Sequence, residues 1–277
     1  MILDFSSFGK NLLTAALTVG LMCLSTACDE FEAHPYDVRI TGQTEINARN
    51  AAIIERETLG RDTLRFALIS DTQGWFDETT DEVADINRRN VDFVIHGGDV
   101  SDFGLTREFL MQRDVLNRLE APYVVIIGNH DHLGNGEDVF HIVFGPGNFS
   151  FIAGRVKFVC LETNAMELEH ADAVPDFAFM RREAQTDTAL WDRSVVCMHA
   201  GPKSEQFDPN LVDAFQNYYL RLFRGLMFCT QGHDHRITQE DLFGDGIMYY
   251  GSDCAKHRNY FLFTITPDGY SYEIIYY

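Results

Sequence analysis

Leu64-Arg-Phe-Ala-Leu-Ile-Ser70 is a nearly continuous apolar run that ends directly at Asp71. Such runs are typical of strands that are covered on both faces of a parallel sheet. Two further runs of this kind follow, Asp92–His96 and Tyr123–Ile127. The segments between these three strands have the spacing of amphipathic helices: 79–90 and 105–120. The pattern therefore predicts a β-α-β-α-β unit in an α/β fold.

Polar residues follow these strands and two later ones, Ser194–Met198 and Leu226–Thr230. The residues just past the five strands are Asp71, Asp99, Asn129, His199, and the pair His233 and His235. Ligand sites of α/β sheets form at the carboxyl ends of strands. Carboxylate and imidazole together suit Mn, Fe or Zn. A single polar residue after a strand is usually a turn residue. Five successive strands that are each followed by a possible ligand predict a metal site.

The remaining segments are less regular. A helix is predicted over 47–58, and residues 36–40 alternate like a strand. Residues 149–152 and 156–161 read as a hairpin around Ala153-Gly154. Helices are predicted over 177–190 and 209–223, and closing antiparallel strands over 246–277.

The composition is that of a globular protein with a strongly acidic surface. The chain has 277 residues, of which 45% are hydrophobic, and a formal net charge of −20. A surface of this charge repels DNA and anionic membranes at long range. The charge therefore disfavours polymeric nucleic acid as a partner, and its simplest role is to keep the protein soluble.

The amino terminus has the features of an export signal. Lys10 precedes an apolar stretch over 11–24, which is followed by Ser25-Thr26-Ala27 and then Cys28. Small residues before a cysteine resemble the lipobox of bacterial lipoproteins, in which the cysteine is lipidated and anchors the protein to a membrane. The alternative is an ordinary cleaved signal followed by an incidental cysteine.

The predicted domain organisation has three parts. Residues 1–27 are a signal peptide, 28–60 a tether with a leading strand and helix, and 61–277 the main domain. The cysteines of that domain are predicted to be buried free thiols: Cys160, Cys197, Cys229 and Cys254.

The motifs together resemble the calcineurin-like metallophosphoesterases. The matching blocks are Asp71-Thr72-Gln73, Gly98-Asp99, Gly128-Asn129-His130-Asp131, Met198-His199 and Gly232-His233-Asp234-His235. The resemblance covers roughly residues 64–237. It implies a four-layer α/β/β/α sandwich, with two sheets flanked by helices.

The resemblance also implies a dinuclear phosphoric ester hydrolase with two transition-metal ions (Mn, Fe or Zn). Together with the acidic surface, it implies a small phosphorylated substrate rather than polymeric nucleic acid. One ion would be held by Asp71, Gln73, Asp99 and His235, and the second by Asp99, Asn129, His199 and His233. A hydroxide that bridges the two ions would attack phosphorus. His130 would contact the phosphate and protonate the leaving oxygen, and Asp131 would orient His130 by a hydrogen bond.

Gln73 departs from the pattern, because the family usually has histidine at this position. Three interpretations remain open. Gln73 binds metal through its amide oxygen, or the first metal position is weak or filled by water, or the protein has lost activity. The last would make it a binding module with a phosphoesterase fold.

Five residues in or near the motif loops are candidate substrate contacts: Trp75, His132, Lys203, Arg236 and Arg258. An aromatic ring there could stack on a substrate ring, and the cationic side chains could bind phosphate oxygens. Each could equally be an ordinary loop residue.

Overall fold

The computed structural model describes residues 39–168 and 174–277. The predicted signal peptide, Cys28 and most of the predicted strand 36–40 lie outside these residues, and residues 39 and 40 are not in a strand. Within the described ranges, no helix is long and apolar enough to cross a membrane.

The first sheet is built mainly from the amino-terminal half. Its elements are α1 (Ile46–Thr58), β1 (Leu64–Ile69), α2 (Phe76–Asn87), β2 (Phe93–His96), α3 (Thr106–Leu116), β3 (Tyr123–Val125) and α4 (Gly136–Val143). The last two strands of the chain complete it: β10 (Asn259–Thr266) and β11 (Gly269–Tyr276). The strand order is β11-β10-β1-β2-β3, with β1, β2 and β3 parallel and β10 antiparallel to β1. The predicted β-α-β-α-β unit is thus confirmed.

The second sheet contains the remaining six strands. They are β4 (Phe149–Ala153), β5 (Val156–Leu161), β6 (Arg193–Met198), β7 (Leu226–Gln231), β8 (Thr238–Asp241) and β9 (Met248–Gly251), with α5 (Phe177–Glu183) between β5 and β6. The order is β4-β5-β6-β7-β9-β8. The predicted hairpin of β4 and β5 is confirmed. In the predicted antiparallel tail, β9 instead pairs parallel with β7.

The two sheets pack face to face through aromatic side chains. The Phe66 ring on β1 lies 5.4 Å from that of Phe158 on β5, and Phe263 on β10 lies 4.9 Å from Phe228 on β7. All four side chains are fully buried. Burial of each contributes roughly 1.5–3 kcal/mol relative to exposure.

Helices cover the outer face of each sheet. Val83 and Phe109, from α2 and α3, belong to the apolar cluster on the outer face of the first sheet. Met180 of α5 and the buried Trp191 belong to the cluster outside the second sheet. The arrangement is helix, sheet, sheet, helix, so the predicted four-layer sandwich is confirmed.

Three local features differ from the sequence-based expectation. The helix predicted over 177–190 ends at Glu183, and the one predicted over 209–223 is an irregular helix over residues 212–222, with a π-helical segment in its middle. Helix α1 packs within the compact unit Val38–Tyr277, where Asn47 hydrogen-bonds both the N–H and the carbonyl of Val125. The domain thus includes α1. The four described cysteines are buried and free, as predicted.

Candidate active site

The predicted ligands come from both sheets and meet at one edge of the sandwich. Asp71, Asp99 and Asn129 follow strands of the first sheet, while His199 and His233 follow β6 and β7 of the second. Direct hydrogen bonds join the two sets. The His233 N–H donates to Asp71 Oδ2 at 3.1 Å, and His199 Nδ1 lies 2.8 Å from the carbonyl oxygen of Gly97.

Four of these residues have left-handed backbone conformations. The φ angles are 53° at Asp71, 58° at Asp99, 70° at His233 and 49° at His235. This region is uncommon for residues other than glycine, and each instance costs on the order of 1–3 kcal/mol. Such strain persists where the surrounding structure imposes it, and it clusters at functional sites.

Glycines at two of the strand ends let neighbouring side chains of the site approach the backbone closely. Gly98 has φ 108°, and a Cβ there would lie 2.5 Å from His199 Nδ1. Gly128 does not have a positive φ, but a Cβ would lie 2.1 Å from Asp99 Oδ1. The glycine at 98 thus permits the turn, and the glycine at 128 makes room for the Asp99 carboxylate.

Asn129, His199 and His233 form one group of donor atoms. Asn129 Oδ1 lies 3.1 Å from His199 Nε2 and 3.0 Å from His233 Nδ1. The other nitrogen of each ring faces an acceptor: Gly97 O for His199, and Glu205 Oε1 at 3.1 Å for His233. Such partners fix the tautomer and leave the inner nitrogen free to bind a metal ion.

Asp71, Gln73 and His235 form a second group. Asp71 Oδ1 lies 3.2 Å from His235 Nε2. Gln73 is buried, and its Nε2 is 3.4 Å from Asp99 Oδ2. Asp99 links the two groups, because the same Oδ2 also lies 3.4 Å from His199 Nε2.

The donor set fits metal ions. Gln73 Oε1 is a buried oxygen without a hydrogen-bond donor, although an unpaired buried polar atom normally costs about 1–3 kcal/mol. Donor atoms of Asp71, Asp99 and His199 all lie within 4.8 Å of one another. Carboxylate, amide and imidazole donors at this spacing match the ligand preferences of Mn, Fe and Zn.

The site is electrostatically coupled. Burial on its own raises the pKa of Asp99, but the facing His199 outweighs it and lowers that pKa. Burial likewise lowers the pKa of His199, yet the charge of Asp99 raises it to about 10. The hydrogen bond to Asp71 raises the pKa of His235. A metal ion must therefore displace protons from these imidazoles.

His130 lies at the rim of the same site and is partly exposed. Its backbone N–H donates to Asp99 Oδ1 at 2.9 Å, and its Nδ1 lies 2.9 Å from the carbonyl oxygen of Asp102. Nδ1 therefore donates to Asp102, and Nε2 remains available to a substrate. Burial lowers the pKa of His130, but Asp99 and the Asp102 carbonyl together raise it above its usual value.

Asp131 does not contact His130 as expected. Its carboxylate is fully buried and accepts hydrogen bonds from the N–H groups of Gly128, Asp99, Val100 and Ser101. The sequence-based role of Asp131 is therefore corrected. It holds the backbone turn that carries Asp99, and the Asp102 carbonyl orients His130 instead.

Trp75 is the one aromatic residue among the predicted substrate contacts. It follows Gln73 by two residues and is half-buried. Lys256 Nζ lies 5.1 Å from the Trp75 ring, and the Ala255 N–H donates to the Asp71 carbonyl. Lys256 was not singled out in the sequence, where an isolated loop lysine carries no signal.

Three of the four predicted cationic contacts have partners away from the donor groups. The His132 side chain is buried, with Nε2 2.5 Å from Glu162 Oε1. Lys203 donates to the Leu242 carbonyl, and Arg258 pairs with Asp81 at 2.6 Å. Arg236 is exposed, with Asp234 3.7 Å away. His132, Lys203 and Arg258 thus have other partners, whereas Arg236 remains exposed directly after His235.

A further group of possible ligands, Asp253, Cys254 and His257, lies in the loop that contacts Asp71. The Asp253 carboxylate is fully satisfied there. Its Oδ1 lies 2.7 Å from His257 Nδ1, and its Oδ2 accepts from Asn259 at 3.0 Å. We assign this group to stabilisation of the loop.

The chain belongs to the calcineurin-like phosphoesterase family, which it matches over residues 64–236. This result confirms the resemblance drawn from the motifs. The family and the fold identify the protein as a metallophosphoesterase. No curated protein sequence matches the chain.

Solved structures with a similar fold include several phosphatases. A dimetal phosphatase from Danio rerio is 13% identical, with a TM-score of 0.60, and the match covers 77% of this chain and 99% of that one. PhoD is 10% identical with a TM-score of 0.57, over 79% of this chain and 66% of its own. A purple acid phosphatase from yellow lupin (Lupinus luteus) seeds is 13% identical with a TM-score of 0.57, over 78% and 52%. At these identities the likeness supports the fold alone.

Proposed function

We propose that the protein hydrolyses a phosphomonoester or phosphodiester with two metal ions. The first position is formed by Asp71, Gln73, Asp99 and His235, and the second by Asp99, Asn129, His199 and His233. When bound, Mn, Fe or Zn ions would activate a water molecule and neutralise charge on the phosphoryl oxygens. The observation that carries the proposal is the Asp99 carboxylate, which contacts both donor groups through one oxygen.

The protein's own groups account for the proton transfer. His130 Nδ1 is held by the Asp102 carbonyl, which leaves Nε2 free to act on a substrate. Hydrolysis forms a bond from water oxygen to phosphorus and breaks the ester P–O bond. The electron pair of that bond goes to the leaving oxygen, which takes a proton from His130. The proton that the attacking water loses returns to His130 through solvent. The raised pKa of His130 favours the protonated form that this step needs.

Turnover of p-nitrophenyl phosphate and bis-p-nitrophenyl phosphate, with and without added Mn, tests the proposal. Asp99→Ala removes the link between the two groups, and we expect both activity and bound metal to be lost. Asp268→Ala is the matched control, because this exposed carboxylate lies in the turn after β10, at the opposite end of the sheet. Activity retained in Asp99→Ala would refute the site.

A second candidate function is a binding module that has lost catalysis. Gln73 favours it, since its Nε2 donates toward Asp99 Oδ2, where the family usually has a histidine ligand. Amide oxygen is a weaker ligand than imidazole for transition metals. Protein with both metals bound that turns over neither substrate would support this function.

We also propose that the mature protein is an exported lipoprotein anchored through Cys28. The support is the apolar stretch and the small residues before this cysteine. Mass spectrometry of the membrane-extracted protein should find a lipidated amino-terminal Cys28. A Cys28→Ser variant should leave the membrane fraction, and a variant that stays there would contradict the anchor.

A further inference from the structure

We propose that the segment Glu162–Ala165, which contains no predicted metal ligand, fixes the spacing of the ligands at the second metal position. The segment directly follows β5, which is parallel to β6, so it lies at the same edge of the sandwich as the residues that follow β6. It contacts the loops that carry Asn129, His199 and His233. This positioning role rests on the proposed function, because it takes those three side chains to bind one ion.

Thr163 holds the backbone next to His199. Its Oγ1 accepts a hydrogen bond from the Ala200 N–H at 3.1 Å, and Ala200 directly follows His199. All three residues are completely buried, so the N–H has no access to solvent if the hydroxyl is removed. A buried donor without a partner is unfavourable, and loss of the Thr163 oxygen should therefore shift this part of the loop.

Two side chains of the segment hold the loop of Asn129 on both sides of that residue. Asn164 Nδ2 donates to the Ile127 carbonyl at 3.0 Å, two residues before Asn129. Glu162 Oε1 lies 2.5 Å from His132 Nε2, three residues after Asn129. The four contacting residues are all buried. The turn between the two contacts carries both the predicted ligand and the predicted proton donor.

Glu162 is itself confined by the turn before β4. Its N–H donates to Asn148 Oδ1 at 3.0 Å, and a Cβ on Gly147 would lie 2.5 Å from Glu162 Oε2. The carboxylate is therefore packed directly against the backbone of this turn. A side chain whose position is fixed in this way holds its own partner in place, which a preorganised metal site requires.

The backbone of Ala165 reaches the loop beside the third ligand. The Ala165 N–H donates to the Gln206 carbonyl at 2.8 Å. The residue before Gln206 is Glu205, whose Oε1 lies 3.1 Å from His233 Nε2. Four consecutive residues thus contact the supports of all three ligands that belong to the second position alone.

The first metal position has other supports. The Asp71 N–H donates to the Gly98 carbonyl at 2.9 Å, and the Gln73 N–H donates to the Asp99 carbonyl at 3.2 Å. The Asp71 carbonyl in turn accepts from the Ala255 N–H at 3.2 Å. A change in the segment after β5 should therefore weaken the second ion and spare the first, whereas a general loss of stability would not discriminate between them.

Thr163→Val tests this role, because valine has nearly the same shape as threonine but cannot accept the hydrogen bond from Ala200. Isothermal titration of metal-free protein with Mn measures both ions without catalysis, and the step that Asn129→Ala removes identifies the second position. We expect Thr163→Val to weaken that step by about tenfold and the other step by less than about twofold. Thr163→Ser, which restores the hydroxyl, should recover wild-type binding.

Turnover provides a second measurement. Hydrolysis of bis-p-nitrophenyl phosphate by Thr163→Val should need about tenfold more Mn for half-maximal activity, and kcat should recover when Mn is in excess. Glu162→Gln keeps the shape of its side chain and removes the charge that faces His132. It should weaken the same Mn step, and it serves as the test if Thr163→Val does not fold.

Thr58→Val is the matched control. Thr58 is also buried, and its Oγ1 accepts the Gly154 N–H at 3.0 Å in the turn between β4 and β5, at the opposite end of β5. Both valine variants should lower the urea midpoint, but only Thr163→Val should change Mn binding.

Equal weakening of the two ions in Thr163→Val, or an unaltered second step in both Thr163→Val and Glu162→Gln, would overturn the positioning role. Selective weakening of the second step in a protein that turns over no ester would instead refute only the proposed hydrolysis.

Discussion

Replacement of Gly98 by alanine is the sharpest test of how the backbone builds the second metal position. Gly98 has φ 108°, and an added Cβ would meet His199 Nδ1 at 2.5 Å and Cγ at 2.9 Å. Ordinary contacts begin at 3.4 Å, so the ring must move by roughly 0.9 Å, the difference between these distances. His199 is completely buried and cannot turn into solvent.

The expected cost has two parts. A left-handed alanine costs about 1–2 kcal/mol relative to glycine. Displacement of the His199 ring also breaks the 2.8 Å hydrogen bond from Nδ1 to the Gly97 carbonyl, and a buried pair left unsatisfied costs about 1–3 kcal/mol. We therefore expect Gly98→Ala to lose roughly 3 kcal/mol of unfolding free energy.

Gly60→Ala is the matched control, because Gly60 has φ 76° but no atom within 4 Å of an added Cβ. It should show the backbone cost alone. Urea unfolding of both variants in chelator gives the difference, which we expect to be about 2 kcal/mol. Titration with Mn should also show about 10–100-fold weaker binding in Gly98→Ala only. Equal destabilisation and equal metal affinity of the two variants would refute the reasoning.

Three further predictions concern single side chains. Gln73→His should raise metal content at the first position, and unchanged elemental analysis would contradict this. Burial, reinforced by the charge of Asp85, raises the pKa of Glu82 well above its usual value. The contribution of Glu82 to stability is therefore present below about pH 4.5 and is lost as pH rises through the folded-state pKa. Glu82→Gln should therefore flatten the fall in urea midpoint above pH 5, and an identical pH profile would rule this out. Glu205→Ala removes the 3.1 Å contact to His233 Nε2 and should weaken Mn binding severalfold, measured by calorimetry against wild type.

The sequence predicted the strands, and the positions of the polar residues that follow them, because both depend on local pattern. An apolar run such as Leu64–Ile69 becomes a buried strand in almost any α/β context, and the polar residue that follows it must lie at the sheet edge. Asp71 and Asp99 were located for this reason. Their left-handed conformations were not visible, because tertiary contacts impose them against the intrinsic preference of the residues.

Side-chain partners that are distant in the chain could not be predicted from the sequence. Asp131 follows His130 directly, yet its carboxylate turns to the backbone N–H groups 30–32 residues earlier in the chain. Arg258 was predicted as a substrate contact, but its guanidinium donates a hydrogen bond to Asp81 on α2. Each of these partners depends on which elements pack together in the fold, and the adjacent residues in the sequence do not determine that.

The positions of the two tryptophans give the protein two separate optical reporters. Trp191 is completely buried, with the Arg224 guanidinium 4.6 Å from its ring, so its emission follows the packing outside the second sheet. Trp75 is half-buried beside Lys256, close to Gln73. A Trp191→Phe variant would keep Trp75 as the one tryptophan, two residues after Gln73. The emission of that variant would follow the loops that carry Gln73 and Lys256, separately from the packing that Trp191 reports.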